Sequence, residues 1–361
     1  MNNKYLDNIP FRINFIKEIL HDNDLNPLID VDMTATEAFI NNSNNNDSRI
    51  VLNKQLLNFN QVINQIGGKL VFIKGGTTGN VFKGFNPNDV NAPNYAVKVV
   101  PYPKKANYGR YTNVDRPENA EIMMLKVLSY FVVNKQTPHI VLPIGTFNTS
   151  IKPFLSLYKE GIVDNKKYKK FVEKYKKGEL HNDVSILISE WANGGDLLQH
   201  IRDKGEDLTL REWQVIFFQL ISVLVIIQTK YPSFRHNDLK ANNVLIHHIN
   251  RSRKNNLFKY KINGHVYIIP NIGYQIKLWD FDFACIDGVV NNSKVNAEWT
   301  DRINVNPKQN RYYDVHYFFN TLTKKGFYDK FWTSEKIPKS VKLFVKRIIP
   351  EKYRTGDNVA K

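Results

Sequence analysis

Phe234 to Ile246 reads FRHNDLKANNVLI, and within it Asp238 and Asn243 stand five positions apart on a polar turn that runs into the apolar strand Val244-Leu245-Ile246. That spacing lets a carboxylate and an amide aim at one point. A carboxylate accepts a proton from a hydroxyl nucleophile, an amide oxygen suits a hard metal ion, and an ammonium such as Lys240 between them suits a phosphate oxygen. Further along, Ile276 to Ala284 reads IKLWDFDFA and supplies another acid, Asp280, at the end of a second apolar strand. Together these are the parts of a metal-assisted phosphoryl transfer.

The two stretches resemble the signatures of the eukaryotic-type protein kinases, H-R-D-L-K-x-x-N followed by D-F-G. The first stands here as His236-Asn237-Asp238-Leu239-Lys240-Ala241-Asn242-Asn243 and the second as Asp280-Phe281-Asp282. Asn237 replaces the arginine and Asp282 replaces the glycine. The resemblance implies that Asp238 orients and deprotonates a hydroxyl, that Asn243 and Asp280 hold Mg2+ or Mn2+, and that Lys240 offsets charge on the transferred group of ATP. Lys240, two residues after the base, is similar to the serine/threonine branch. Asn237 cannot make an arginine's bidentate contacts to a loop phosphate, and Arg235 is expected to substitute poorly, so activity should not require phosphorylation of the following segment. Asp282 should stiffen that segment, because aspartate takes a left-handed backbone only at some cost, and it adds a carboxylate near Asp280.

Elements must hold these groups in place. From Lys69, LVFIKGGTTGNVFKGF reads as strand, glycine turn, strand, with Val71 and Ile73 alternating before the turn and Val81 after it. Gly75, Gly76 and Gly79 permit close backbone approach and positive φ, as a loop folding over phosphates requires. The family pattern G-x-G-x-x-G-x-V falls on Lys74, Gly76, Gly79 and Val81, so its first glycine is missing, with Gly75 adjacent. Tyr95 to Val100, YAVKVV, is an apolar strand with one lysine inside it, and a buried ammonium needs a partner or a ligand. By resemblance, Lys98 clamps the α- and β-phosphates and pairs with a helix glutamate. Asp115 and Glu118 have capping-box spacing with Pro117 in the first turn, which assigns Glu118 to the helix start. Glu121, ahead of Met124, Leu125 and Leu128, is therefore the expected partner.

VSILISEWANGGDLLQHI reads as a buried strand, a glycine linker and a helix, and resembles the hinge between kinase lobes. That likeness puts Ser189 at the gatekeeper position, offers backbone groups of Glu190 and Ala192 to adenine, and sets Asp196 toward the ribose hydroxyls. HIVLPIGTF is expected to form a strand pair, and LTLREWQVIFFQLISVLVIIQTKY a long buried helix. Asn243 and Asp280 are separated by 37 positions, and RSRKNNLFKYKINGHVYIIPNIG in that interval reads as an extended hairpin. Asp314-Val315-His316 resembles the D-x-W start of the helix beneath the kinase active site. No clear A-P-E stands between Asp280 and Asp314.

The expected fold is therefore α+β, a bilobal protein-kinase-like arrangement with a β-rich N-lobe and a mostly helical C-lobe. Residues 1–68 form an extension with no visible chemistry, including a polar tract at Asn41 to Ser48 read as a mobile loop. The N-lobe covers 69–192, with a Lys-rich insertion near 148–182, and the C-lobe covers 193–361, reduced or divergent after about 285. The Lys-rich composition, the missing first glycine and the long hairpin before Asp280 together resemble the divergent serine/threonine kinases of large DNA viruses.

A 361-residue chain with 42% apolar content can bury a large core. Its formal charge of +17 favours polyanionic neighbours, nucleic acid among them. Lys166 to Lys177, with Tyr168, Phe171 and Tyr175 interleaved, reads as a short basic helix that is either a solvated charged face or a dock for an acidic protein or anionic surface. Cys285 is the only cysteine, which excludes an intrachain disulfide and a cysteine-rich metal site. The N-terminus lacks a signal-peptide pattern, and the longest apolar run, Val215 to Ile227, contains Gln219 and Ser222. The expectation is a soluble intracellular protein, in host cytoplasm or virion if viral, acting on a protein substrate. A small-molecule kinase of the choline or aminoglycoside type also carries H-x-D-x-x-x-x-N, and a catalytically dead scaffold would be favoured by loss of Lys98, Asp238 or Asp280, none of which is lost.

Overall fold

The computed structural model describes residues 8–21, 23–29, 52, 54–76, 78–89, 92–105, 108–111, 113, 116–249 and 257–354. The polar tract at 41–48, Asp115 and residues 251–256 ahead of the hairpin lie outside the described residues. The chain forms two compact units, one of residues 1–130 with 142–191, the other of 131–141 with 192–361. It is α+β, with helices and a five-stranded sheet.

In chain order the first unit holds α1 (Ile9–Leu20), α2 (Phe59–Gln65), β1 (Lys69–Gly75), β2 (Asn80–Phe85), β3 (Tyr95–Pro103) and α3 (Pro117–Val133), whose last turn groups with the second unit. β4 (Pro143–Ser150), α4 (Lys152–Lys159), α5 (Lys166–Lys176) and β5 (Leu180–Glu190) complete it. The sheet order is β1-β2-β3-β5-β4, antiparallel throughout. The HIVLPIGTF stretch gives one strand rather than a pair, because only Pro143 onward joins β5, while Ile140 bridges Leu278 in the second unit.

Residues of the N-terminal stretch are built into this unit's core. Phe15, Ile16, Leu25, Leu28, Phe59, Val62 and Ile63 are buried, and the Leu28 and Leu57 N–H groups donate to the Ile144 and Asn148 carbonyls of β4. Lys54 donates to Tyr102 Oη (3.0 Å), Asn119 Oδ1 (2.8 Å) and Ser185 Oγ, and burial pushes its ammonium well below the ordinary lysine value. In the sheet, Phe72 is the β1 residue that packs inward, edge-on to Phe82 and Tyr168 at 5.6 and 5.4 Å. Val71 and Ile73 share the alternation expected of them, but they are 50% and 43% exposed. Periodicity finds the two faces of a strand and does not say which one is covered.

The second unit holds α6 (Leu197–Lys204), α7 (Leu210–Lys230), β6 (Val244–His248), β7 (Leu257–Ile262), β8 (His265–Pro270), β9 (Tyr274–Leu278), α8 (Glu298–Asp301), α9 (Tyr313–Leu322) and α10 (Lys339–Ile348). α7 starts at a capping box, Thr209 with Glu212, and is long and apolar enough to cross a membrane by composition, yet most of that stretch is buried in its unit. The buried Gln219 of this helix accepts the Ile276 N–H at 2.9 Å through its side-chain oxygen and so helps to seat β9. β6 pairs with β9 in register Val244↔Leu278 through His248↔Tyr274. The residues between them fold out as the β7–β8 hairpin, closed by Asn263 and Gly264 at φ 49° and 81°, the two-residue turn that matches strand twist. The excess length between Asn243 and Asp280 is thus removed from the ladder that carries both.

Candidate active site

In the first unit, β3 brings Lys98 to a buried position, and α3 brings Glu121. The Lys98 ammonium donates to Glu121 Oε1 and Oε2 at 2.8 and 2.6 Å, with both residues buried. Glu118 instead binds the Arg116 Nε at 2.9 Å. The ladder pairs Val81 with Lys98, which puts those two side chains on one sheet face, two residues along β3 from Ala96. Exposed Val71 belongs to the same face through Lys83. An apolar strip beside a held ammonium is a surface suited to a base and its phosphates.

The glycine turn differs from expectation in one respect. Gly75, Gly76 and Gly79 are needed for space and not for positive φ, which none of them adopts. The Gly76 N–H donates to the Gly79 carbonyl at 2.7 Å, and a Cβ on Gly79 would stand 2.8 Å from the Val99 oxygen. A Cβ on Gly75 would meet Lys167 Cβ at 3.0 Å and Asn165 Oδ1 at 3.1 Å, so the basic helix α5 borders this turn. Asn165 caps α5, and Tyr168, Phe171 and Val172 are buried. Two of the aromatics expected to interleave with a partner are therefore core residues, and the lysines form the exposed face.

In the second unit, a 3-10 turn at Ala241–Asn243 leads into β6 and shapes the loop that carries Asp238. Asn243 Nδ2 donates to the Asp238 carbonyl and Oδ2 at 2.8 and 2.9 Å, and Lys240 Nζ reaches Oδ1 and Oδ2 at 3.0 and 2.9 Å. Tyr317, from α9, donates its hydroxyl to Asp238 Oδ1 at 3.2 Å. Burial first, and the Asp238 charge second, raise the Tyr317 phenol, which keeps it a donor. Sequence reasoning missed Tyr317, and its place three residues after Asp314 on the helix beneath the loop was the available signal.

Asp314 fixes the loop from below. Its carboxylate accepts the His236 N–H at 2.8 Å and the Asn237 N–H at 3.0 Å. Burial raises its pKa, opposed chiefly by His236 and by those backbone donors. His236 Nε2 bonds the Trp279 carbonyl at 3.1 Å, and the Trp279 N–H donates to the Asn243 carbonyl at 3.2 Å, which brings Asp280's segment to Asn243. The left-handed residue is Asp280, at φ 61°, and not Asp282. The Asp282 carboxylate forms an ion pair with Lys294, and the Asn292 amide donates to the Asp282 and Ala284 carbonyls at 2.9 and 3.1 Å.

Asn237, at φ 63°, donates to the Phe283 carbonyl at 3.0 Å and to Cys285 Sγ at 3.4 Å. Burial pushes the Cys285 thiol up to about 12, which leaves it an inert small hydrophobe. Arg235 is buried. Its guanidinium binds Asn306 Oδ1 (2.6 Å), the Asn304 carbonyl (2.5 Å) and the Lys308 carbonyl (3.2 Å), and lies 3.7 Å over the Tyr313 ring. Asp196 caps α6 by accepting the Gln199 N–H at 2.9 Å, while Ala192 is buried. Glu190 ends β5 with its side chain turned inward onto Arg12.

Among the described residues, no group of three or more His, Cys, Asp or Glu side chains could by itself hold a metal ion. The oxygen donors that the sequence pattern offers here are one carboxylate, Asp280, and one amide oxygen, Asn243. Two oxygen donors fit a hard cation that takes its other ligands from phosphate and water, as Mg2+ does, and do not fit zinc.

A family model described as poxvirus serine/threonine protein kinase matches residues 116–355. A curated chain of Acanthamoeba polyphaga mimivirus, provisionally named a serine/threonine-protein kinase, is 48% identical over 358 residues, 97% of this chain and 74% of its own length. A second mimivirus chain with the same provisional name is 25% identical over 244 residues, 58% of this chain and 59% of its own. A provisionally named serine/threonine-protein kinase of Dictyostelium discoideum is 28% identical over 141 residues, 38% of this chain and 11% of its own.

Proposed function

The chain belongs to the poxvirus serine/threonine protein kinase family, and from that premise we propose that it transfers the γ-phosphate of ATP to serine or threonine hydroxyls of a protein, with Mg2+ as the metal. The observation that carries the reading is the Asp238 carboxylate, held by Lys240, Asn243 and Tyr317, with a hydroxyl already within hydrogen-bonding reach of Oδ1. Asp238 orients the acceptor hydroxyl and takes its proton. Lys240 moves between Asp238 and a phosphate oxygen and offsets charge on the transferred group. Lys98, oriented by Glu121, clamps the α- and β-phosphates, and the glycine turn at 75–79 gives backbone room for them. Asn243 Oδ1 and the Asp280 carboxylate would hold the metal, which would supply positive charge to offset that developing on the phosphates. The exposed lysine face of α5 docks an acidic partner or anionic surface, and its attraction is screened within ~8 Å at physiological ionic strength.

Labelled ATP, Mg2+ and the purified chain, tested in parallel on basic proteins, acidic proteins and small alcohols, decide the substrate class. The reading predicts label on protein serine or threonine, none without Mg2+, and none on choline or aminoglycosides. Label on the small alcohols alone would overturn it in favour of a small-molecule kinase.

A further inference from the structure

α1 precedes every motif that carries the kinase reading, yet it sends a charged group to the end of β5. Arg12 and Glu190, 178 residues apart, have side chains only 1% exposed. Arg12 Nε donates to Glu190 Oε2 at 2.9 Å and Nη2 to Oε1 at 2.5 Å. The Leu142 N–H donates to the same Oε1 at 2.9 Å, and the Glu190 N–H donates back to the Leu142 carbonyl at 3.0 Å. The carboxylate is thus gripped by a planar fork on one side and by backbone on the other, and Glu190 is the residue at which β5 ends. α1 is itself held, through the Asn8 cap on the Phe11 N–H (3.1 Å) and the buried Phe15 and Ile16.

We infer that Arg12 is a positioning residue for nucleotide binding: it draws the Glu190 side chain inward and so fixes the backbone groups of the 190–192 segment that the kinase reading assigns to adenine. The inference rests on that reading. A stability role alone would not call for this pair, since well-packed apolar side chains of similar volume replace buried ion pairs without loss, whereas a bidentate fork adds a fixed orientation. The 1–68 stretch, which shows no chemistry as a sequence, then contributes to substrate affinity through one side chain.

The test compares wild-type protein, Arg12→Ala, Arg12→Lys and the double variant Arg12→Met/Glu190→Met for ADP dissociation constant, KM for ATP, kcat and unfolding midpoint. The loss of one charge-assisted positioning contact is expected to raise the ADP Kd and the KM for ATP about tenfold in Arg12→Ala, with kcat at saturating ATP within about twofold. Arg12→Lys should recover part of the affinity, and the double variant should fold with near-native stability yet keep the weakened affinity. If Arg12→Ala fails to fold, the double variant decides, and if that also fails, Arg12→Lys does: an intermediate Kd supports the inference and a wild-type Kd overturns it. Wild-type affinity in any folded variant lacking the pair overturns the inference. Wild-type protein that binds no ADP would remove the kinase reading itself, which is a separate result.

Discussion

Lys294→Met removes the partner of Asp282 and keeps most of the aliphatic stem. The two side chains are 16% and 11% exposed, and the ammonium also lies 4.8 Å over the Phe283 ring. Deleting one member of a fully buried pair costs about 3–5 kcal/mol, while an exposed pair contributes about 0–1 kcal/mol. Exposures this low place the cost nearer the buried limit, at about 2–3 kcal/mol, of which the ring contact supplies roughly 0.5–1. Asn292 ties this same stretch to the Asp282 and Ala284 carbonyls, so the loss should fall on residues 281–295. Urea unfolding midpoints and amide hydrogen exchange of that stretch give the two readouts. Asp282→Gly restores the family's glycine, yet it should destabilise as well, because it strands Lys294. The double variant Asp282→Gly/Lys294→Met should then lose less than the sum of the single losses. An unchanged midpoint and unchanged exchange in Lys294→Met would refute the claim that the ion pair, and not backbone stiffness at Asp282, orders the segment.

Phosphatase-treated protein should keep its rate in steady-state assays, because Arg235 already holds Asn304, Asn306 and Lys308 without a phosphate; Arg235→Ala should lower kcat by more than dephosphorylation does. His200 and His316 are held below the ordinary value of 6.5, chiefly by burial, so as pH falls the unfolded chain takes up protons first and stability is lost below about 6.5. Unfolding midpoints at pH 7.5 and 5.5 should differ less in His200→Gln/His316→Gln than in wild type. Replacing Lys166, Lys167, Lys169 and Lys170 by serine should weaken binding to an acidic polypeptide and flatten its salt dependence, with the unfolding midpoint unchanged because those side chains are exposed.

Lys98 and Glu121 were legible because a lysine inside an apolar strand has to be paired, and the spacing to Pro117 and Glu118 left Glu121 one turn into the helix. The Asp238, Lys240 and Asn243 cluster was legible because its members lie within one turn of chain. What stayed hidden depends on distant contacts. Nothing near Arg12 points to Glu190, Tyr317 reaches Asp238 across 79 positions, and Lys294 looks like any surface lysine until the segment folds back. Val71 and Ile73 have a core strand's alternation but face away from Phe82 and Tyr168, a choice that local pattern does not make. Glu118 also carries an ion pair to Arg116, a contact that its capping-box spacing does not announce.

The central claim is that Asp238 is the base of a phosphoryl transfer. Asp238→Asn keeps an acceptor for Asn243 and Lys240 at nearly the same volume and removes the ability to take a proton. Phosphate transfer from ATP to protein, measured beside ATP binding on the same preparation, should fall by a factor on the order of 10² or more with the ATP dissociation constant held within about twofold. Transfer that is equal in wild type and Asp238→Asn, at normal ATP binding, would contradict the account.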